Sequence, residues 1–209
     1  MLKKYSIVIG IMISIVLLGI AMMLYPGGSY FDKNSIGYSL TNNFISNLFL
    51  ENAVNGSHNP GRYWAVAGMM AMSVSFSLFF IEFSKRIPIR SASNVIKYFG
   101  IAGMGCTFLI ATPLHDIMVT IASTIFLVSI FYIAVFVFKS KLHLFKLLCI
   151  IYLLVFYGTL AIFGSGYLLE YLPIIQKILF IISIILIVTL HFFTTKEDFE
   201  HIKGKQKRS

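Results

Sequence analysis

The sequence predicts an all-α membrane protein, a polytopic bundle of six transmembrane helices with both termini in the cytoplasm. Of its 209 residues, 58% are hydrophobic and only 12% are charged, whereas soluble domains carry about 25% charged residues. The apolar residues fall in long runs, and most of the cations lie between those runs. Because a soluble fold of this size has too little interior to bury so much apolar surface, we expect the chain to lie in a lipid bilayer.

Six runs reach or approach the roughly 20 apolar residues that a helix needs to cross the hydrocarbon core. The first follows two lysines in the manner of a signal peptide, but it is too long for one and no small-residue cleavage site follows it, so we interpret it as a span. Residues 1–195 then form one membrane domain with a long outer loop at 26–62, and residues 196–209 form a basic cytoplasmic tail. The predicted spans are residues 5–25, 63–83, 95–113, 117–138, 147–165 and 173–193.

The distribution of cations predicts the orientation. With these spans, all but three of the 17 lysines and arginines lie on one side of the membrane, the exceptions being Lys33, Arg62 and Lys177. Cytoplasmic loops retain Lys and Arg, so the cation-rich side is predicted to be inside. The net charge of +9 therefore reflects membrane topology, and we expect no nucleic-acid partner.

Small residues mark the predicted contacts between helices. Ala67, Ala71 and Ser75 recur every four residues in the second span, and three glycines cluster at positions 100, 103 and 105 of the third. Such positions let two backbones approach closely in lipid, where packing drives helix association. We therefore expect these faces to contact neighbouring helices.

Within the long outer loop, residues 41–54 have the pattern of an amphipathic helix. Apolar side chains fall on one face and polar ones on the other, and Thr41 is a suitable N-cap. Such a helix would either lie at the bilayer surface or cover the outer mouth of the bundle. Its predicted apolar face consists of Phe44, Ile45, Leu48, Phe49 and Ala53.

Polar residues from separate loops gather on the predicted outer side and form the candidate site. Imidazole and carboxylate groups together can bind zinc, and a metal-bound water is a competent nucleophile. However, the histidines lack a spacing typical of a metal site, and both cysteines lie in apolar runs, so we expect neither a metal nor a cofactor. The candidate residues are Ser46, Asn47, His58, Asn59, His115 and Asp116.

The string Asn42-Asn43-Phe44-Ile45-Ser46-Asn47-Leu48, six spans and a polar first outer loop resemble the prokaryotic domain-of-unknown-function family 998. More distantly, they resemble the DRAM/Sfk/FRAG-type membrane proteins. These families have an Ile-Ser-acidic element in that loop, an Asn or Pro before the second span and a Gly-rich third span. Asn47 stands here at the acidic position. The resemblance implies an integral membrane protein without an established reaction.

Three interpretations of the function are compatible with the sequence. The leading one is a non-catalytic bundle that interacts with lipid or a membrane-protein partner, because the spans are almost free of ionisable residues. The alternatives are a metal-dependent membrane hydrolase with an outer-surface site and a small transporter, for which Gly158 and Gly164 are the only hint of broken helices. In each case we expect a multi-pass protein in the cell membrane of a prokaryote.

Overall fold

The computed structural model describes residues 2–109 and 115–206. Within these residues the chain forms seven α-helices and two short 3₁₀ helices. Its β structure is limited, in the same residues, to two isolated β-bridges. The all-α class is therefore confirmed. The helices are α1 (Leu2–Leu24), α2 (Arg62–Ser84), α3 (Arg90–Leu109), α4 (His115–Lys139), α5 (His143–Ser165), α6 (Leu172–Phe193) and α7 (Glu197–Gln206).

Five of these helices are long and apolar enough to cross a membrane, namely α1, α2, α4, α5 and α6. Their most apolar windows have mean hydropathies between 1.8 and 2.9. The described part of α3 is less apolar because Arg90, Asn94 and Lys97 occupy its first turns. The chain is thus a polytopic helical membrane protein, with five spans supported by helix length and composition.

The first two helices run antiparallel and in close contact. A Cβ atom added at Gly10 of α1 would lie against the side chain of Ser75 in α2. At the opposite end of the pair, a Cβ atom at Gly61, just before α2, would lie 2.6 Å from the carbonyl oxygen of Ala21 in α1. The predicted contact face at Ser75 is therefore confirmed, although Ala67 is exposed.

On the other side of α2, α3 runs antiparallel to it. Near the loop that joins them, Ser93 Oγ donates a hydrogen bond of 2.7 Å to the carbonyl oxygen of Ser84. Further along, a Cβ atom at Gly100 would lie 2.2 Å from Cγ of Phe80. Gly100 is thus a contact residue, as its position in the glycine cluster predicts.

α3 also runs antiparallel to α4. Ser129 Oγ of α4 donates a hydrogen bond of 2.8 Å to the carbonyl oxygen of Ile96. A Cβ atom at Gly103 would lie 3.1 Å from the backbone nitrogen of Phe126, whereas nothing lies within 4 Å of one at Gly105. The glycine cluster therefore contacts α2 and α4 through two of its three members.

The remaining long helices, α5 and α6, are also packed against each other and antiparallel. Leu144 and Phe145, near the start of α5, lie beside Thr189 and Phe193, near the end of α6. Since consecutive long helices alternate in direction, the loops rich in Lys and Arg all lie at one end of the bundle. We call this the basic end, and we call the opposite end, which carries residues 25–61, the loop end.

The centre of the bundle is aromatic. Phe79, Phe80 and Phe83 of α2 are fully buried. The ring of Phe80 meets Phe126 of α4 at 5.7 Å between centroids, and the ring of Phe83 meets Phe199 of α7 at 5.8 Å. α2 is therefore the central helix, and α7 packs beneath it at the basic end.

The predicted tail contains a helix that the sequence analysis missed. Residues 197–206 form α7, in which Phe199 and Ile202 are buried against the bundle. His201 Nε2 lies 3.0 Å from the carbonyl oxygen of Lys139 at the end of α4. The first part of the tail thus belongs to the packed structure.

The predicted amphipathic helix at residues 41–54 is wrong in type and extent. The helical part of this segment is the 3₁₀ helix Ile45–Phe49, and Thr41 lies in a turn before it. Asparagine side chains bond to the backbone here, which competes with α-helical hydrogen bonding. The expected apolar face is nevertheless buried on the bundle, with Ile45, Leu48, Phe49 and Ala53 in one cluster with residues of α1 and α2.

Candidate functional site

The long loop, residues 25–61, folds around the buried side chain of Asn43. Its Nδ2 donates a hydrogen bond of 2.7 Å to the carbonyl oxygen of Gly28, and its Oδ1 accepts one of 2.8 Å from the backbone nitrogen of Ser39. Asn43 is fully buried. It therefore satisfies backbone groups that would otherwise lack partners and fixes the first half of the loop.

Asn59 has the same role in the second half of the loop. Its Nδ2 donates to the carbonyl oxygens of Leu48 and Leu50, at 3.1 and 2.9 Å, and its Oδ1 accepts from the backbone nitrogen of Gly61 at 3.1 Å. Asn59 is also fully buried. One side chain thus joins the 3₁₀ helix Ile45–Phe49 to the start of α2.

The two halves of the loop meet at Gly28. Its φ of +81° favours glycine, and a Cβ atom there would lie 2.3 Å from the backbone nitrogen of Asn55. Beside this crossing, the hydroxyl of Tyr25 donates to the carbonyl oxygen of Gly28 at 3.3 Å and accepts from the backbone nitrogen of Val54 at 3.1 Å. Burial raises the pKa of the Tyr25 phenol, while the bond from Val54 lowers it by a smaller amount.

Two polar side chains of α6 hold the loop against the bundle. Gln176 Oε1 accepts a hydrogen bond of 2.9 Å from the backbone nitrogen of Ile45. Lys177 Nζ donates to the carbonyl oxygen of Asn43 at 2.5 Å and to that of Pro173 at 3.0 Å, and it lies 5.5 Å from the ring centre of Tyr38. The loop thus covers the loop end of α1, α2 and α6 and is bonded to α6.

The predicted site residues on the loop have different environments. Ser46 and Asn47 are half-buried in the 3₁₀ helix, where Asn47 Oδ1 accepts from the backbone nitrogen of Phe44 at 2.7 Å. His58 is exposed, and its backbone forms an isolated β-bridge with Asn52. Asn47 and the buried Asn59 are brought to the same short helix, but both side chains bond to backbone groups.

The other two predicted site residues begin α4. The backbone of His115 and Asp116 forms the first turn of that helix, and their side chains lie outside the described residues. Across the part of the chain that the structure describes, no three His, Cys, Asp or Glu side chains are grouped so as to hold a metal ion. The site that Ser46, Asn47, His58 and Asn59 are expected to share with this pair therefore stays a prediction.

Sequence reasoning missed the residues that organise this end of the molecule. Asn43 was one polar residue among several in the loop, and Gln176 and Lys177 lay in a predicted span. One signal for them was present in the sequence, because Gln176 and Lys177 lie near the start of an otherwise apolar run. Polar and charged residues in a span need hydrogen-bonding partners.

The comparisons with family models, curated proteins and solved structures found no match. The resemblance to the domain-of-unknown-function family 998 therefore stays a prediction.

Proposed function

We propose that the chain is a six-span, non-catalytic protein of the cell membrane, with both termini inside, that binds lipid or a membrane-protein partner. One observation carries this proposal. The buried side chains of Asn43 and Asn59 bond to the long loop's own backbone, whereas large apolar side chains face outward from every long helix. Surfaces of this kind contact lipid or another membrane protein.

The packing of α3 supports a sixth span. α3 lies antiparallel to α2 at the Ser84–Ser93 and Phe80–Gly100 contacts, and antiparallel to α4 at the Ile96–Ser129 contact. A helix that runs between two spanning helices in this way lies at membrane depth with them. A sixth span also keeps residues 139–146, which carry three lysines, on the same side as the other basic segments.

Cysteine accessibility tests this topology. In a background with Cys106→Ala and Cys149→Ala, we expect an impermeant thiol reagent outside intact cells to label Ser57→Cys and Leu114→Cys, in the hairpin between the third and fourth predicted spans, but not Ser91→Cys or Lys141→Cys. Ser57 and Ser91 are both exposed. A chain in which α3 does not span would show the reverse result at Leu114 and Lys141. Labelling of Ser91→Cys with protection of Ser57→Cys would reverse the whole orientation.

Metal analysis tests the non-catalytic part of the proposal. A zinc-dependent hydrolase of the kind considered above would purify with zinc bound through the histidines of the loop end. We expect less than stoichiometric zinc in protein prepared without chelators, and no change in His115→Ala. One zinc ion per chain that is lost in His115→Ala, but kept in His143→Ala at the basic end, would contradict a non-catalytic bundle.

A further inference from the structure

At the basic end, α5 and α6 enclose an apolar groove of about 270 Å³. This volume is close to the lower limit of small-molecule sites, about 300 Å³. The Thr189 hydroxyl is turned into its own helix, where it donates to the carbonyl oxygens of Ile185 and Leu186 at 2.6 and 3.2 Å. The walls of the groove are formed by Leu144, Phe145, Leu148, Thr189 and Phe193.

The groove opens toward the surface of the bundle that would face lipid. Leu144 and Phe193, on its two sides, are 66% and 70% exposed. Both residues lie within the helix turn nearest the basic end, and Leu148 lies about 6 Å deeper along α5 at 1.5 Å per residue. An acyl chain entering from the basic end would therefore run along the groove in the direction of the chains in the adjacent lipid leaflet.

Cations flank the lining residues of both helices in the sequence. Residues 139–146 contain three lysines and no acidic residue, and these lysines form no ion pair within the described ranges. Lys139 and Lys141 are exposed, and Lys141 precedes the lining residue Leu144 by three positions. On the α6 side, Lys196 follows Phe193 by three positions.

The nearby carboxylates, on α7, do not cancel this charge. Asp198 Oδ2 accepts hydrogen bonds from the backbone nitrogen and the hydroxyl of Thr195, at 2.7 and 3.2 Å. Glu200 pairs with Lys196 at 3.3 Å. Asp198 keeps its charge under these neutral donors, and Glu197 is exposed. Arg86 also lies at this end, where it bonds to the end of α6. The positive charges of Lys139, Lys141, Lys146, Lys196 and Arg86 thus outnumber the negative charges of Glu197, Asp198 and Glu200. The entrance therefore has a net positive charge and favours an anionic group.

We propose that this groove binds one anionic phospholipid of the inner leaflet, with an acyl chain between α5 and α6 and the phosphate at Lys139 and Lys141. The inference rests on the membrane topology proposed above. Basic pockets between transmembrane helices on the cytoplasmic side are suited to anionic headgroups, which each lysine near the surface attracts. Zwitterionic lipid would fill the apolar groove equally well but would gain less from the lysines.

Fluorescence quenching tests the proposal in the reconstituted full-length chain. The single native tryptophan is replaced by Trp64→Phe, and Phe193→Trp places a new indole at the groove. The protein is then compared in phosphatidylcholine vesicles that contain brominated-chain phosphatidylglycerol or brominated-chain phosphatidylcholine. We expect preferential quenching by the phosphatidylglycerol, with an apparent affinity reduced about fivefold for each lysine removed in Lys139→Gln and Lys141→Gln.

Two control variants separate a site from a general surface effect. Arg90→Gln with Lys97→Gln removes the same charge from the same end of the bundle and should leave the preference unchanged. Thr189→Phe fills the groove and should abolish the preference, whereas Leu154→Phe, on the exposed part of α5, should not.

The contrary outcomes are distinct. Equal quenching by the two lipids would show ordinary surrounding lipid only, and no quenching by either would show that something else, such as a second copy of the chain, covers the groove. If the Arg90→Gln, Lys97→Gln variant loses as much of the preference for phosphatidylglycerol as the Lys139 and Lys141 variants do, the preference comes from the general surface potential of the basic end. Each of these results overturns the lipid site while leaving the topology intact. Release of the chain from vesicles by an alkaline wash, in contrast, would contradict the topology and the lipid site together.

Discussion

Arg86 Nη1 donates a hydrogen bond of 2.7 Å to the carbonyl oxygen of Leu190, across 104 positions of sequence. The same guanidinium donates to Thr194 Oγ1 at 2.6 Å and to the carbonyl oxygen of His191 at 2.9 Å. Burial lowers the pKa of the Arg86 guanidinium, and nearby Glu82 and Asp198 raise it to a smaller degree. Carbonyl groups in the last turn of a helix lack partners within the helix, so Arg86 supplies donors to the end of α6 and ties it to the end of α2.

Replacing Arg86 should therefore loosen the basic end. Arg86→Gln removes charge-assisted hydrogen bonds, each of which contributes about 1.5–3 kcal/mol. We expect the free energy of unfolding to fall by about 2–4 kcal/mol, measured as a lower thermal midpoint in detergent. Lys85→Gln is the matched control, because Lys85 pairs with exposed Glu82 and a surface pair contributes about 0–1 kcal/mol. Equal midpoints for the two variants would rule out this role for Arg86.

The close contact at Gly103 predicts a difference between two neighbouring glycines. Gly103→Leu would press a side chain into the backbone of Phe126, and overpacking of this kind costs about 1–3 kcal/mol. Gly105→Leu places the same side chain in open space, where we expect no loss. Thermal unfolding in detergent measures both variants. A midpoint that falls as far for Gly105→Leu as for Gly103→Leu would mean that contact with α4 is not the cause.

The hydrogen bonds of Asn59 predict that the long loop depends on this side chain. Asn59→Ala leaves the carbonyl oxygens of Leu48 and Leu50 without their donor, and a buried unsatisfied group costs about 1–3 kcal/mol. We expect faster amide hydrogen exchange across residues 43–61. Asn52→Ala, at an exposed position of the same loop, should leave exchange unchanged. Unchanged exchange in Asn59→Ala as well would show that the loop is held by its apolar face alone.

The environment of Tyr38 predicts a pH dependence of the loop. Burial raises the pKa of the Tyr38 phenol above its ordinary value of about 10, and a charge on Tyr25 would raise it further. Above about pH 10 the unfolded loop therefore releases this proton before the folded loop does, and the folded state loses stability as the pH rises. Below about pH 10 the phenol is protonated in both states and causes no such loss.

Tyr38→Phe should accordingly reduce the loss of stability between about pH 9 and pH 11. Limited proteolysis of the long loop at each pH measures that stability. Tyr30→Phe is the control, since Tyr30 is 70% exposed in the same loop. An identical pH dependence in native protein and in Tyr38→Phe would exclude this phenol as the titrating group.

Sequence reasoning predicted the helices well because the constraint is local. A span is a run of about 20 apolar residues, and each such run is visible without knowledge of its neighbours. The predicted span at 117–138 lies within α4 (His115–Lys139), and the one at 173–193 within α6 (Leu172–Phe193). The third run differs, since α3 begins five residues earlier than predicted, at Arg90, and its polar first turns make it less apolar.

The candidate site was less predictable because burial decides whether its polar groups bond to backbone or face water. Ser46, Asn47, His58 and Asn59 lie in one loop, but local pattern shows neither that Asn59 is buried nor that its partners are backbone groups. An asparagine suits a solvated loop and a buried one equally well. Only the positions of its neighbours distinguish the two cases.

The sequence by itself determined the all-α class, the long apolar helices and the concentration of cations between them, since these follow from composition and local periodicity. The tertiary structure decided how the polar segments fold onto the bundle. Ile45 meets Gln176 across 131 positions, and Arg86 meets the end of α6 across more than 100. Hydrogen-bonding groups of this kind find their partners only after packing has brought the helices together, so no local pattern encodes the pairs.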